Sequence, residues 1–246
     1  MVFIQTVGSI EMQPMLDFHC AATPTDLALE LATFVSQCLT ETLRTRDRAL
    51  LVVSGGSTPV PFFDALSCMS LPWEQVVITL ADERWVPPTH PDSNERQVRE
   101  HLLRGEAARA IWMPFWRSGL NAHDALPLIQ GELDALPWPA SVVVLGMGSD
   151  GHTASLFPHD ATWVDSQSAP ERCLAVAAPL PPNVPVSRVS LTPTSLVDAE
   201  NVAIYLTGEA KWDVLHRAER DGPARDYPIR LAWQQRHAPC HVFYAD

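Results

Sequence analysis

The sequence predicts an α/β fold, with a mostly parallel sheet flanked by helices in a Rossmann-like three-layer arrangement, as a single α/β domain over residues 1–246. Three observations predict it. Short apolar runs rich in β-branched residues, at 49–53, 76–80, 142–145 and 202–206, have the length and composition of buried strands. Segments with helical apolar spacing separate them, as expected of parallel strands joined by crossover helices. Polar and glycine-rich residues gather just past these runs, at 54–58, 82–84, 150–152 and 207–211. Parallel strands bring all four clusters to one edge of the sheet. That edge, at the C-terminal ends of the strands, is where open α/β sheets bind ligands.

Taken in order, Thr23-Pro24-Thr25-Asp26 starts a helix. Thr23 can cap it, Pro24 fits its first turn and Asp26 complements its positive end. Leu27, Leu31, Phe34, Val35, Cys38 and Leu39 follow at core-facing spacing. The strand at 49–53 runs into Ser54-Gly55-Gly56-Ser57-Thr58-Pro59 and then a helix carrying Phe62, Phe63 and Leu66. A strand, a glycine turn with hydroxyls and a helix N-terminus together make an anion site. Ser54, Gly55, Gly56, Ser57 and Thr58 are its phosphate-binding candidates. The plainer alternative is a turn capped by Thr58. The loop lacks the Lys of a Walker A motif, which argues against a nucleoside triphosphate.

The strand at 76–80 leads into Ala81-Asp82-Glu83-Arg84-Trp85-Val86-Pro87-Pro88, read as a structured, partly buried loop because Trp85 and the prolines stiffen it. Ser93 caps a helix containing Val98, Leu102 and Leu103. A short strand is expected at 110–113 and a helix at 121–136, despite Pro127 and Gly131. Later elements are a strand at 173–178, a stiff loop at 179–185, a strand at 188–192 and a helix at 193–199. Residues 207–211 turn into a helix carrying Trp212 and Leu215. Lys211 opposes the dipole at that helix start and is better placed against an anion. A short helix at 227–235 and a last strand at 241–244 close the chain.

The most informative stretch is Val142-Val143-Val144-Leu145-Gly146-Met147-Gly148-Ser149-Asp150-Gly151-His152-Thr153-Ala154-Ser155-Leu156-Phe157-Pro158. Its glycines let the backbone turn sharply and let a ligand approach. Asp150 and His152 stand just past the strand end. The spacing Gly146-x-Gly148-x-x-Gly151 matches a dinucleotide fingerprint. That motif needs a long helix opening at the third glycine, and Pro158 cuts such a helix short.

Net charge is −12. That argues against nucleic acid as a partner but not against a small anionic substrate, which needs only a few local cations. The five cysteines, Cys20, Cys38, Cys68, Cys173 and Cys240, form no C-x-x-C pair and read as buried free thiols in a reducing compartment. Residues 1–22 do not form a secretory signal, and no run is long enough to span a membrane. The expectation is a cytoplasmic protein, monomer or weak homodimer. No dedicated metal site is read; His152, His159 and Asp160 offer at most an adventitious one.

Together these motifs resemble the 6-phosphogluconolactonases, within the superfamily that also holds glucosamine-6-phosphate deaminases. The resemblance is carried by 54–59, 82–86, Ser93-Asn94, 146–158, 188–192, and Thr207-Gly208 with Lys211, in family order. It implies hydrolysis of 6-phospho-D-glucono-1,5-lactone to 6-phospho-D-gluconate, the second step of the pentose phosphate pathway, on a small sugar-phosphate substrate without metal or organic cofactor. His152 is the expected general base toward water, since an imidazole titrates near neutral pH. Asp150 orients His152 or fixes substrate; both readings stay open. Arg84 and loop N–H groups are the candidates to stabilise the oxyanion. Ser57, Thr58, Arg188 and Lys211 would hold the phosphate, and Asp82 would accept hydrogen bonds from sugar hydroxyls. The deaminases pair their His with a Glu five positions later, where this chain has Phe157, and carry a Tyr where it has Arg84. Both differences point to the lactonases. A non-catalytic sugar-phosphate sensor is the other alternative, but no DNA-binding preface or basic patch is seen.

Overall fold

The computed structural model describes residues 16–166, 170–178 and 185–246. Ten strands are present among them: β1 (Leu16–Cys20), β2 (Ala49–Val53), β3 (Val76–Leu80), β4 (Asp82–Arg84), β5 (Ile111–Met113), β6 (Val142–Leu145), β7 (Cys173–Val176), β8 (Arg188–Leu191), β9 (Val202–Thr207) and β10 (Cys240–Ala245). Seven form one sheet in the order β1-β10-β9-β6-β2-β3-β5, and every pairing in it is parallel. Helices flank it, as the alternating pattern requires. Burial follows position in the sheet. β2, β3 and β6 are buried throughout, whereas the edge strand β1 is largely exposed. The predicted strands at 49–53, 76–80 and 142–145 are therefore the central ones, where both faces need apolar side chains.

From β2 the chain winds outward to β3 and β5, then returns to the other side of β2 as β6 and continues to β9 and β10. The winding direction reverses between β2 and β6. Loops leaving neighbouring strands on either side of such a reversal diverge and open a crevice. The loops leaving β2 and β6 are the two glycine-rich segments picked out above.

The helix Pro24–Leu43 is capped as expected, with Thr23 accepting from Asp26 N, and buries Leu27, Leu31, Val35 and Leu39. It packs on helix Val60–Ser67, which buries Phe62 and Phe63. Ser93 and Asn121 cap their helices, and Pro127 lies inside helix Ala122–Asp134.

Two readings need correction. Residues 82–84 form strand β4, not a loop. Ala81 N donates to Val53 O, and Ala81 O accepts from Leu191 N, so this single residue hands the chain from the large sheet to a second one. That second sheet is antiparallel, in the order β4-β8-β7. The dinucleotide fingerprint lacks its helix, as expected from Pro158: the segment after Gly151 folds as turns until Ala161–Val164. Cys173 and Cys240 are buried, but Cys20 and Cys68 are exposed; all five thiols are free. The stiff loop expected at 179–185 lies, apart from Pro185, outside the described residues. No helix among the described residues is long and apolar enough to cross a membrane.

Candidate active site

A cleft of about 250 Å³ opens where the loops after β2 and β6 diverge. It is lined by Ser54, Gly55, Gly56, Ser57, Thr58, Asp82, Arg84, His152, Arg188 and Lys211. Every candidate from the sequence is there except Asp150, which sits behind His152.

The loop after β6 is closed by its own backbone. Gly148 N donates to His152 O (2.9 Å), Gly151 N to Gly148 O (3.0 Å), and Thr153 Oγ1 to Gly146 O (2.9 Å). This brings His152 Nδ1 to 2.5 Å from Asp150 Oδ1, which also accepts from the His152 backbone N–H at 3.0 Å. Burial works to raise the Asp150 carboxyl, but the hydrogen bonds and charge of His152 outweigh it and hold the group below its ordinary range. An ionised Asp150 accepts the proton of Nδ1 and leaves the lone pair on Nε2. The ring lies tilted against Phe157, with centroids 4.8 Å apart.

The second sheet supplies the cations. β4 and β8 pair Arg84 with Arg188 and Asp82 with Ser190. Asp82 Oδ2 accepts from Ser155 Oγ at 2.5 Å and lies 3.5 Å from Arg188 Nη1. Arg84 Nη1 donates to Asn94 Oδ1 (2.8 Å) and Asp92 O (2.9 Å). The Nε atoms of both arginines are buried without a hydrogen-bond partner. Burial draws the Arg188 guanidinium below its usual range, with Arg84 adding repulsion and Asp82 opposing it. Burial likewise lowers the Lys211 ammonium, whose Nζ donates to Thr58 Oγ1 at 3.3 Å. Three cations, Arg84, Arg188 and Lys211, line the cleft with one carboxylate, Asp82, a surplus of positive charge that an anionic ligand would relieve.

The loop after β2 is more occupied than its sequence suggests. Ser54 Oγ donates to Val144 O (3.1 Å), and Gly56 N donates to Gln97 Oε1 (2.9 Å). Helix Val60–Ser67 starts at Pro59 with no side-chain cap, so Thr58 does not serve as one. Gly55 is required by close approach: a Cβ there would lie 2.0 Å from Asn94 Oδ1.

Sequence reading missed three contributors. Asn94 lines the cleft, donating through Nδ2 to Asp82 O (2.7 Å) while accepting from Arg84. Tyr205 also lines it, with its hydroxyl buried and unpartnered; burial pushes that hydroxyl up to about 12. A Tyr inside an apolar strand run was the available signal. Glu83 is the third. It is fully buried and accepts from the N–H groups of Arg84 (2.7 Å), Asn94 (2.8 Å) and Glu95 (2.8 Å) and from Ser93 Oγ (3.0 Å). Burial pushes this carboxyl up to about 7, against the pull of the Glu95 and Asn94 N–H groups and the Ser93 hydroxyl. Glu83 thus ties the helix start carrying Asn94 to the strand carrying Arg84. Glu83→Ala would strand three buried N–H groups at roughly 1–3 kcal/mol each, so a loss of about 3 kcal/mol or more is expected in urea unfolding. A loss under about 1 kcal/mol would show the tie to be dispensable.

Residues 22–241 match the family model described as glucosamine-6-phosphate isomerases/6-phosphogluconolactonase. The chain belongs to this family. A 6-phosphogluconolactonase of Pseudomonas aeruginosa is 41% identical over 214 residues, covering 82% of this chain and 88% of that one. One from Neisseria meningitidis is 38% identical, covering 94% and 100%. The crystal structure of a 6-phosphogluconolactonase from Shewanella baltica superposes with a TM-score of 0.90 at 37% identity, covering 94% of this chain and 98% of that chain. A monomeric glucosamine-6-phosphate deaminase shares the fold at a TM-score of 0.76 and 14% identity.

Proposed function

We propose that the cleft hydrolyses 6-phospho-D-glucono-1,5-lactone to 6-phospho-D-gluconate. The observation that carries this reading is His152, whose Nδ1 is held by Asp150 at 2.5 Å, in the same cleft as Lys211 and the loop after β2. Nε2 takes a proton from water as the water oxygen attacks the lactone carbonyl. The carbonyl oxygen becomes an oxyanion, and Arg84 and the loop N–H groups are the candidates to stabilise it. When the intermediate collapses, the C–O bond to the ring oxygen breaks and the imidazolium returns its proton to that oxygen. Asp150 acts as the orienting group, because its carboxylate meets both the backbone N–H and the ring Nδ1 of His152. Asp82 is engaged by Ser155, Asn94 and Arg188, and so serves mainly to set the charge and position of Arg188.

Lys211, Arg188, Ser57 and Thr58 hold the phosphate, remote from the reacting carbon, so its binding energy serves to position the ring. Lys211→Ala is expected to raise KM for the phosphorylated lactone about 10–100-fold, the loss of one charged hydrogen bond, with kcat changed far less. It should also erase most of the preference over unphosphorylated gluconolactone. A variant that keeps that preference removes Lys211 from phosphate binding. The reading itself is tested by a coupled assay on fresh 6-phosphogluconolactone, with spontaneous hydrolysis subtracted, beside glucosamine 6-phosphate. Turnover of the amino sugar alone would favour the deaminase chemistry. Binding of either without turnover would favour a sensor.

A further inference from the structure

A second cluster of chemistry-bearing side chains lies at the opposite end of the sheet, separated from β6 by β9 and β10. β1 pairs with β10 so that Asp17 stands opposite His241 and His19 opposite Phe243. Alternate residues of a strand share a face, so Asp17 and His19 meet His241 and Phe243 on one side of the sheet. We propose that Asp17, His19 and His241 form a divalent transition-metal site of the zinc type, which clamps edge strand β1 to β10.

The geometry argues for it. Asp17 Oδ2 lies 3.2 Å from His19 Nε2 and 3.1 Å from His241 Nδ1, and the two nitrogens are 3.4 Å apart. Tetrahedral zinc with bonds of about 2.0–2.1 Å keeps its ligand atoms about 3.3–3.4 Å apart, so the triangle has the size of one tetrahedral face. Proton bookkeeping points the same way. His19 Nδ1 faces Glu30 Oε1 at 3.1 Å. A neutral imidazole carries one N–H. With that proton directed at Glu30, Nε2 presents a lone pair to the Asp17 carboxylate, a repulsion that a cation between them removes. A carboxylate holding the far nitrogen of a ligating imidazole is the usual supporting arrangement around zinc. His241 Nε2 is buried without a hydrogen-bond partner, so the ring acts through Nδ1.

The rings are also fixed in place. His19 stacks on Phe243 with centroids 4.3 Å apart and planes 10° apart, and His241 packs against Phe34 at 4.5 Å. Asp17 is exposed, which gives an ion a path in and leaves the fourth position to water. Two imidazoles and one carboxylate suit zinc, cobalt or nickel; calcium and magnesium prefer all-oxygen sets. The site joins residues 224 apart in the chain, so its occupancy would stabilise the fold by mass action.

The test uses the whole chain, stripped with chelator and titrated with Zn²⁺ by calorimetry and with Co²⁺ by visible absorption. One equivalent is expected to bind, with the intense absorption of four-coordinate Co²⁺ and no thiolate charge-transfer band. With free Zn²⁺ at about a hundred times Kd, Tm should rise by roughly 5–10 °C. His241→Ala and Asp17→Asn should each lose the spectrum and the shift. Asp17→Asn is exposed and nearly isosteric, so it reports on the site even if His241→Ala unfolds. His159→Ala should bind as wild type does. No saturable binding by the wild-type chain, equal binding by Asp17→Asn, or a thiolate band would each overturn the proposal and leave a hydrogen-bonded histidine pair only.

Discussion

Replacing His152 with Ala is expected to lower kcat on 6-phosphogluconolactone by about 10²–10⁴-fold, with KM changed only a few-fold. The asymmetry follows from where the contacts lie. In the proposed binding mode the phosphate is held by Lys211, Arg188 and the loop after β2, which line the cleft independently of the imidazole. On the proposed mechanism, removing the ring deletes both the base toward water and the acid toward the departing ring oxygen, while leaving the proposed anion cradle intact. Single-turnover rates beside equilibrium binding of 6-phosphogluconate would separate the two effects. Equal losses in binding and turnover would make His152 a substrate-binding residue. Unchanged turnover would remove it from the chemistry.

Gly148→Ala should be nearly as damaging, although the substitution adds one methyl group outside the proton-transfer path. A Cβ at this position would lie 2.1 Å from His152 Cε1, 2.2 Å from its Nδ1 and 2.8 Å from Asp150 Oδ1. No such contact is tolerated, so the imidazole, the carboxylate or the turn must move. Displacing a catalytic group by about 1 Å costs on the order of 10² in rate. The φ of Gly148 lies outside the left-handed region, so Ala introduces no backbone strain of that kind and the experiment isolates the steric effect. The expected result is kcat down about 100-fold with KM for the phosphorylated lactone nearly unchanged. A fully active variant would mean that the 2.5 Å contact between Asp150 and His152 is not needed for turnover.

The two predictions rest on features of very different legibility. His152 could be picked out because local signals coincide there: an apolar β-branched run, glycines after it, and a His beside an Asp. Gly148 could be seen as a glycine, but its reason could not. The conflict with His152 arises from the path of the folded turn, where Gly148 N donates back to His152 O. Glu83 is a sharper case. Its neighbours in the chain are charged, and a run of three charges usually marks a solvated loop. It is instead fully buried, because four donors from β4 and the 93–95 helix start converge on its carboxylate.

Sequence alone was sufficient for the parallel sheet, its central strands and the loops that line the cleft. Apolar runs of strand length cannot be left in water, and in a parallel sheet the glycine and hydroxyl residues after them gather at one edge. The tertiary structure decided what depends on partners distant in the chain. It made β4 a strand, because Ala81 passes the backbone to a second sheet. It set Asp82 against Ser155 and Asn94, which are distant from it in sequence or on another element. It also set Asp17 and His19 beside His241, since register between the first and last strands, and nothing local to either, determines which side chains face one another.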